Sequence, residues 1–240
     1  MTAAEGTAIE ADAVAGISIA FDRRRQVSDQ IYEALKKAIV SLRLPPGASI
    51  SENSVCRRIG VSRTPVRAAI IRLVEDELIE VFPQKGSFVA PIKLSAVRNN
   101  HFIRKALELA VLRRAAEVWS PERAARARQG LDRQAAALVA QDIEAFHDLD
   151  EAFHRFFCEA AGLEGVWSTI QLAKARVDRV HRLAAVQGRL PLVVEEHRAV
   201  LDALDASDPA RALERLDYHL ERAPSILETL IGTHDRYFVA

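Results

Sequence analysis

Between Leu42 and Val61 the chain is interrupted twice, so no long element can run through this region. Pro45-Pro46-Gly47 stops any helix arriving from the N-terminal side, because proline lacks the N–H that a helix interior needs and glycine favours a turn. Gly60 then ends whatever follows. On the near side, VSDQIYEALKKAIVSL at 27–42 sets Ile31, Leu35, Ile39 and Leu42 on one face, the pattern of an amphipathic helix. On the far side there is room for a short helix at about 52–59 and a second over 63–77. Ser62 stands as the cap of the second and Pro65 lies in its first turn, where the first N–H groups have no intrahelical acceptor.

After Leu78 the period changes. IEVF (79–82) and SFVAPI (87–92) read as two short strands around Pro83-Gln84-Lys85-Gly86, with Gly86 supplying the permissive backbone for the turn. Three helices followed by a hairpin describe a winged helix-turn-helix over 23–92. From about 95 the pattern is helical throughout, with breaks near 119–121, 140–142, 162–164, 187–191 and 206–209. Ser120-Pro121 and Asp208-Pro209 mark two helix starts, and Gly162 suits a helix end. About six helices are expected over 96–236, with loops short enough for an antiparallel bundle. The fold class is therefore mainly α: an N-terminal winged helix-turn-helix and a C-terminal all-helical bundle. Residues 1–22 read as a disordered tail.

Charge narrows the function. The 240 residues carry 33 Lys+Arg against 33 Asp+Glu, so net charge names no partner. The distribution does more. No acidic residue lies between Glu52 and Glu75, whereas Arg57, Arg58, Arg63, Arg67 and Arg72 all fall there. Such a face is either a solvated helix surface or a surface that meets nucleic acid. On the second reading, Ser62, Arg63, Thr64 and Arg67 sit at the N-terminal end of a recognition helix. Arginine can bond two guanine acceptors, and hydroxyls with free N–H groups suit phosphate. Val66, Ile70, Ile71 and Leu73 would form the inward side, and Lys85 and Gly86 the tip of the wing.

Cys56 and Cys158 show neither metal spacing nor a disulfide framework, which fits a reducing cytoplasm. No apolar run approaches the roughly 18 residues of a membrane span. The first 20 residues hold Glu5, Glu10 and Asp12 but no Lys or Arg, unlike a secretory leader.

The helical half has its own signal. Asp150 and His154 stand four apart in DLDEAFHRFFCEAAG, so both project from one helix face. His197 and His219 each lie in another helix. One carboxylate and three imidazoles drawn together inside a bundle would suit zinc, nickel, manganese or iron. The alternative is that each histidine is an ordinary satisfied or exposed side chain, the reading given to His101, His147, His181 and His234.

The stretch from Ile31 to Val89, with IGVSRTPVRAAI at 59–70, resembles the DNA-binding domain of the GntR family of bacterial transcription regulators. Residues 98–228 resemble the FCD effector domain of that family's FadR branch, through Arg104-x-x-x-Glu108, Asp150-x-x-x-His154, Glu196-His197 and His219-Leu220. The resemblance implies DNA contacts at Arg63, Thr64 and Arg67, with Gly86 in the wing. It implies metal ligation, zinc first, by Asp150, His154, His197 and His219. It also implies a small carboxylic-acid effector held at the metal and by Arg104. Arg179 and Arg182 are further candidates for that acid, and surface ion pairing is the alternative reading of all three arginines. There are departures. Asn53 stands where many members carry a DNA-contacting arginine, Ala68 replaces a glutamate, Glu77 replaces a glycine, and Leu163 replaces an asparagine. The expected protein is a cytoplasmic homodimer on a pseudo-palindromic operator, most simply a repressor. A metal-sensing regulator and a metal-dependent hydrolase or lyase are the alternatives.

Overall fold

A computed structural model describes residues 17–185, 188–225 and 227–239. The chain divides into two units, one running to Leu94 and rejoined by the segment from His234, the other spanning Ser95–Thr233. The domain expected over 96–236 thus ends earlier, because its last residues return to the first unit.

In the first unit, α1 (Val27–Val40), α2 (Glu52–Ile59) and α3 (Arg63–Glu75) enclose an apolar core. Ile31, Leu35 and Ile39 of α1 meet Val66, Ala69, Ile70 and Leu73 of α3. Ile71, expected inward, is 53% exposed, and Ala69 takes its place. Positions 66, 69, 70 and 73 share one helical face, and 71 is a further 100° around from 70. Ser51 caps α2 by accepting from Ser54 N at 3.4 Å, and Gly60 ends α2 at φ +70°. Ser62 occupies the cap position of α3, yet its side chain makes no capping bond, contrary to the expectation. Beyond α3, Glu77 adopts φ +57°, the left-handed conformation for which glycine is favoured.

The wing is a three-stranded antiparallel sheet in the order β1 (Ser49–Ile50), β3 (Gly86–Val89), β2 (Ile79–Phe82). Ile79 faces Val89 and Phe82 faces Gly86 across the hairpin. The strand expected over 87–92 is divided. Pro91 has no N–H for a ladder, and beyond it β4 (Ile92–Lys93) pairs in parallel with β5 (Phe238–Val239). The tail expected over 1–22 is ordered from Ile17 onward, and residues 1–16 lie outside the described residues. Ile17 is buried, with Ile19 and Phe21 packed on the same core. Asp22 N donates to Gln30 Oε1 at 2.8 Å, and Gln30 Nε2 donates back to Asp22 O at 2.9 Å.

The second unit holds α4 (Leu94–Glu117), α5 (Pro121–Val139), α6 (Ile143–Ala160), α7 (Val166–Ala185), α8 (Leu190–Asp205), α9 (Pro209–Ser225) and α10 (Leu227–Thr233). About six helices were expected; the described residues carry a short seventh, α10. Ser120, Asp142 and Asp208 each accept a backbone N–H at a helix start. Helix α5 packs on α6 and α8, and α8 on α9, around Leu112, Leu131, Phe146, Phe157, Leu201 and Leu216. Among the described residues no helix is long and apolar enough to cross a membrane.

Candidate functional site

The N-terminal face of α3 presents Ser62, Arg63, Thr64 and Arg67 together, all exposed, while Val66 between them is buried. Arg67 Nε lies 3.7 Å from Glu52 Oε1 on α2. Arg72, the last arginine of the basic run, is engaged elsewhere. It pairs with Asp29 at 2.5 Å and stacks 4.0 Å from the Tyr32 ring centroid, tying α3 to α1. Lys85 and Gly86 are exposed at the hairpin turn, where Gly86 has φ +104°.

In the second unit, α6 brings Asp150 and His154 to one face, α8 brings His197 and α9 brings His219. The four side chains are buried and offer ligand atoms that all lie within 4.8 Å of one another. Two of the three imidazoles are hydrogen-bonded from behind, and the third has a carboxylate close by. His154 Nδ1 lies 2.5 Å from Glu108 Oε2, His197 Nδ1 lies 2.9 Å from Gln134 Oε1, and His219 Nδ1 lies 2.8 Å from Glu196 Oε2. An acceptor at Nδ1 of His197 and of His219 fixes the tautomer that carries the proton there and leaves Nε2 as a lone pair, while His154 Nε2 lies 3.3 Å from Arg104 Nη2, which can only donate to it. His197 Nε2 is buried without a hydrogen-bond partner, 3.7 Å from Asp150 Oδ1. Phe153 stacks on the His197 ring, with centroids 3.8 Å apart.

The electrostatics favour ligation. Burial and the neighbouring imidazoles push protonation of His197 well below its ordinary value, and burial also lowers His219. Burial alone would raise Asp150, but Lys174, Nζ at 3.4 Å, and the three histidines hold it well below the usual carboxylate range. Glu108 is likewise held low, against its burial, by Arg104 and His154. Arg104 Nε donates to Glu108 Oε1 at 2.6 Å, and Lys174 Nζ to Asp178 at 2.9 and 3.0 Å. This contact-linked set holds two cations, Arg104 and Lys174, and three anions, Glu108, Asp150 and Asp178, a balance of one negative charge. Three imidazole nitrogens, one carboxylate and one excess negative charge form a donor set that fits a borderline divalent ion.

A cavity of about 50 Å³ adjoins the cluster, lined by Arg104, Asp150, His147, His181, Arg189 and His219 among others. Arg104 was expected there. Arg179 and Arg182 do not line it. Arg179 is buried outside the cavity, and burial lowers its guanidinium to about 10. Arg182 pairs with Glu144 at 3.0 Å. Their places are taken by Arg189 and Arg222. His147 and His181, read from the sequence as ordinary, also line the cavity, and burial pushes each down to about 4. His101 pairs with Glu221 at 3.4 Å, and His234 stacks on Tyr237. Glu108, Gln134 and Glu196 were not singled out. Gln134 carried a signal: it is a polar residue on the apolar stripe Ala127, Leu131, Ala137 of α5.

Comparison with known proteins adds three findings. Residues 27–89 match the family "bacterial regulatory proteins, gntR family", and residues 101–222 match the FCD domain. The HTH-type transcriptional repressor RspR of Escherichia coli is 36% identical over 81% of this chain and 86% of its own. A probable D-xylose utilization operon transcriptional repressor of Paenarthrobacter nicotinovorans is 28% identical over 82% of this chain and 87% of its own. Among solved structures, E. coli McbR/YncC has a TM-score of 0.75 at 22% identity, covering 85% of this chain and 98% of that one, a likeness of fold.

Proposed function

The chain belongs to the GntR family of bacterial regulatory proteins, with an FCD domain in its second unit, and from that premise we propose how it senses and acts. It is a DNA-binding transcriptional regulator and not an enzyme. We read it as a homodimeric repressor, in line with the repressor names of its relatives. Two copies of α3 enter successive major grooves of a pseudo-palindromic operator. Arg63 and Arg67 reach base edges, Ser62 and Thr64 hold phosphate, and Lys85 and the Gly86 backbone carry the wing to the adjacent backbone. Asp150, His154, His197 and His219 hold a divalent ion, zinc first among zinc, nickel, manganese and iron. A small carboxylate effector enters the cavity, paired by Arg104, with Arg189 and Arg222 adding positive charge.

The observation that carries this reading is the tautomer control. His197 and His219 are each turned by a separate acceptor so that Nε2 points away from it, His154 Nε2 is met by Arg104 Nη2 at 3.3 Å, and the His197 lone pair is buried with no partner. Leaving such an atom unpaired costs about 1–3 kcal/mol, a cost an ion removes. The cavity beside the cluster favours the ion as a resident part of an acid-binding site over the ion as the signal itself.

The test is affinity selection of genomic fragments on the purified full chain, followed by titration of the selected sites with acids and with zinc. A few enriched palindromes released by an acid at constant zinc are expected. Uniform enrichment that vanishes at moderate salt would reduce binding to phosphate attraction and overturn the specific-regulator reading. Release that follows free zinc with no acid present would make metal the signal.

A further inference from the structure

We propose that His181, with His147 beside it, reads a hydroxyl group of the effector, so that the site takes a hydroxy acid in preference to the deoxy acid of equal length. This rests on the cavity being the acid-binding site.

His181 lines the cavity from α7, and its protonation is settled by a chain of contacts. Lys174 Nζ holds Asp178 Oδ1 and Oδ2 at 2.9 and 3.0 Å, and Asp178 Oδ1 lies 3.1 Å from His181 Nδ1. Lys174 outweighs the burial of Asp178 and keeps its carboxyl ionised. An ionised carboxylate only accepts, so Nδ1 carries the imidazole proton and Nε2 is a lone pair. Burial keeps the ring neutral at ordinary pH. Among the described residues nothing donates to His181 Nε2. His147, on the same cavity, has an Nε2 that is buried with no hydrogen-bond partner, and burial keeps that ring neutral as well.

A carboxylate cannot satisfy a lone pair, since it too only accepts. Its place is with the donors of Arg104 and the ion. The His181 acceptor calls for an O–H on the same small molecule. A deoxy acid would leave that lone pair desolvated and unpaired, the situation in which sites built for a hydroxyl reject analogues lacking it. The cavity of about 50 Å³ has room for a small acid.

The experiment is calorimetry on the zinc-loaded full chain with two probe pairs, lactate against propionate and malate against succinate. The hydroxy member of at least one pair should bind about 10-fold tighter or more. His181→Leu should abolish that preference, with the hydroxy acid weakened and the deoxy acid, relieved of an unpaired acceptor, bound more tightly. His181→Gln, whose amide oxygen can still accept, should retain it. Zinc stoichiometry and the thermal midpoint report folding of both variants. Equal binding within each pair, or an equal loss of both members in His181→Leu, overturns the hydroxyl assignment alone. Failure of all four acids to bind protein that still holds zinc and its operator overturns the acid-binding reading as well.

Discussion

Gln134→Leu separates metal affinity from stability. Gln134 is fully buried and its Oε1 lies 2.9 Å from His197 Nδ1, but its own Nε2 has no partner. Leucine has nearly the same volume. In the metal-free protein the substitution removes one unpaired buried group, the amide N–H, and creates another, the His197 Nδ1–H. Each is worth about 1–3 kcal/mol, so the two offset one another and metal-free stability should move by less than about 1 kcal/mol. Metal binding has no such offset. Without the acceptor the His197 tautomer is no longer fixed, and loss of such a partner weakens metal about 10–100-fold, or about 1.4–2.7 kcal/mol. At zinc 100 times the wild-type Kd, the stabilisation by metal should fall from about 2.7 kcal/mol to between about 0.4 and 1.4. Competition with a chromophoric chelator gives the affinity, and thermal unfolding with and without zinc gives the stabilisation. A folded Gln134→Leu protein whose zinc affinity stays within about twofold of wild type would refute the argument that this hydrogen bond prepares His197 for the ion.

Three other outcomes are expected. Arg63→Ala and Arg67→Ala should each cost about 1–3 kcal/mol in operator binding, read by fluorescence anisotropy, and should relax specificity at one position of each half-site; an unchanged affinity would remove that arginine from the base contacts. His197→Ala should abolish stoichiometric zinc and the response to acid while the operator is still bound; metal retained at one per chain would exclude His197 as a ligand. The metal-free protein should lose stability as pH falls from about 7 towards about 4. His147 and His181 protonate near 6.5 in the unfolded chain but only near 4 when folded, so the unfolded state binds more protons across that window. A thermal midpoint that is flat or rises on acidification would contradict this.

The order of elements was legible because proline and glycine punctuate the first unit and cap signals such as Ser120-Pro121 punctuate the second. The Asp150 and His154 pair was legible because i, i+4 spacing fixes a common face whatever surrounds the helix. Strands β1, β4 and β5 were not, since two residues carry no periodicity. Of the two arginines expected on α7, Arg179 failed by phase. Lys174, Asp178 and His181 share the face turned toward Asp150 and the cavity, so Arg179, one residue on from 178, is rotated about 100° from it, whereas Arg182, four on from Asp178, shares that face but is held by Glu144 at 3.0 Å. His147 lay within reach of the same reasoning, because 147, 150 and 154 follow the i, i+3, i+7 pattern. The partners Glu108, Gln134 and Glu196 depend on which helices pack together, and that is decided by the whole core rather than by local sequence.

The charge balance ties the two ligands of the proposed site to each other. The linked set of Arg104, Glu108, Asp150, Lys174 and Asp178 stands at one negative charge without metal. A divalent ion converts this to one positive charge, Arg222 on the same cavity adds to it, and a carboxylate offsets the excess. Either state between is an uncompensated charge in a buried site, which is costly. The acid should therefore bind more tightly with the ion present, and by linkage the ion should then be held more tightly by the same factor once the acid is bound. The same reciprocity governs the operator. In the proposed site the ion would join α6, α8 and α9 and the acid would add Arg104 of α4 and His181 of α7, so the two ligands together would meet five of the helices of their unit. The acid can weaken operator binding only by the factor with which it prefers the DNA-free arrangement of those helices. A tenfold loss of operator affinity in saturating acid thus requires a tenfold weaker affinity for acid in the DNA-bound protein, and the two measurements must agree if the acid acts through this site.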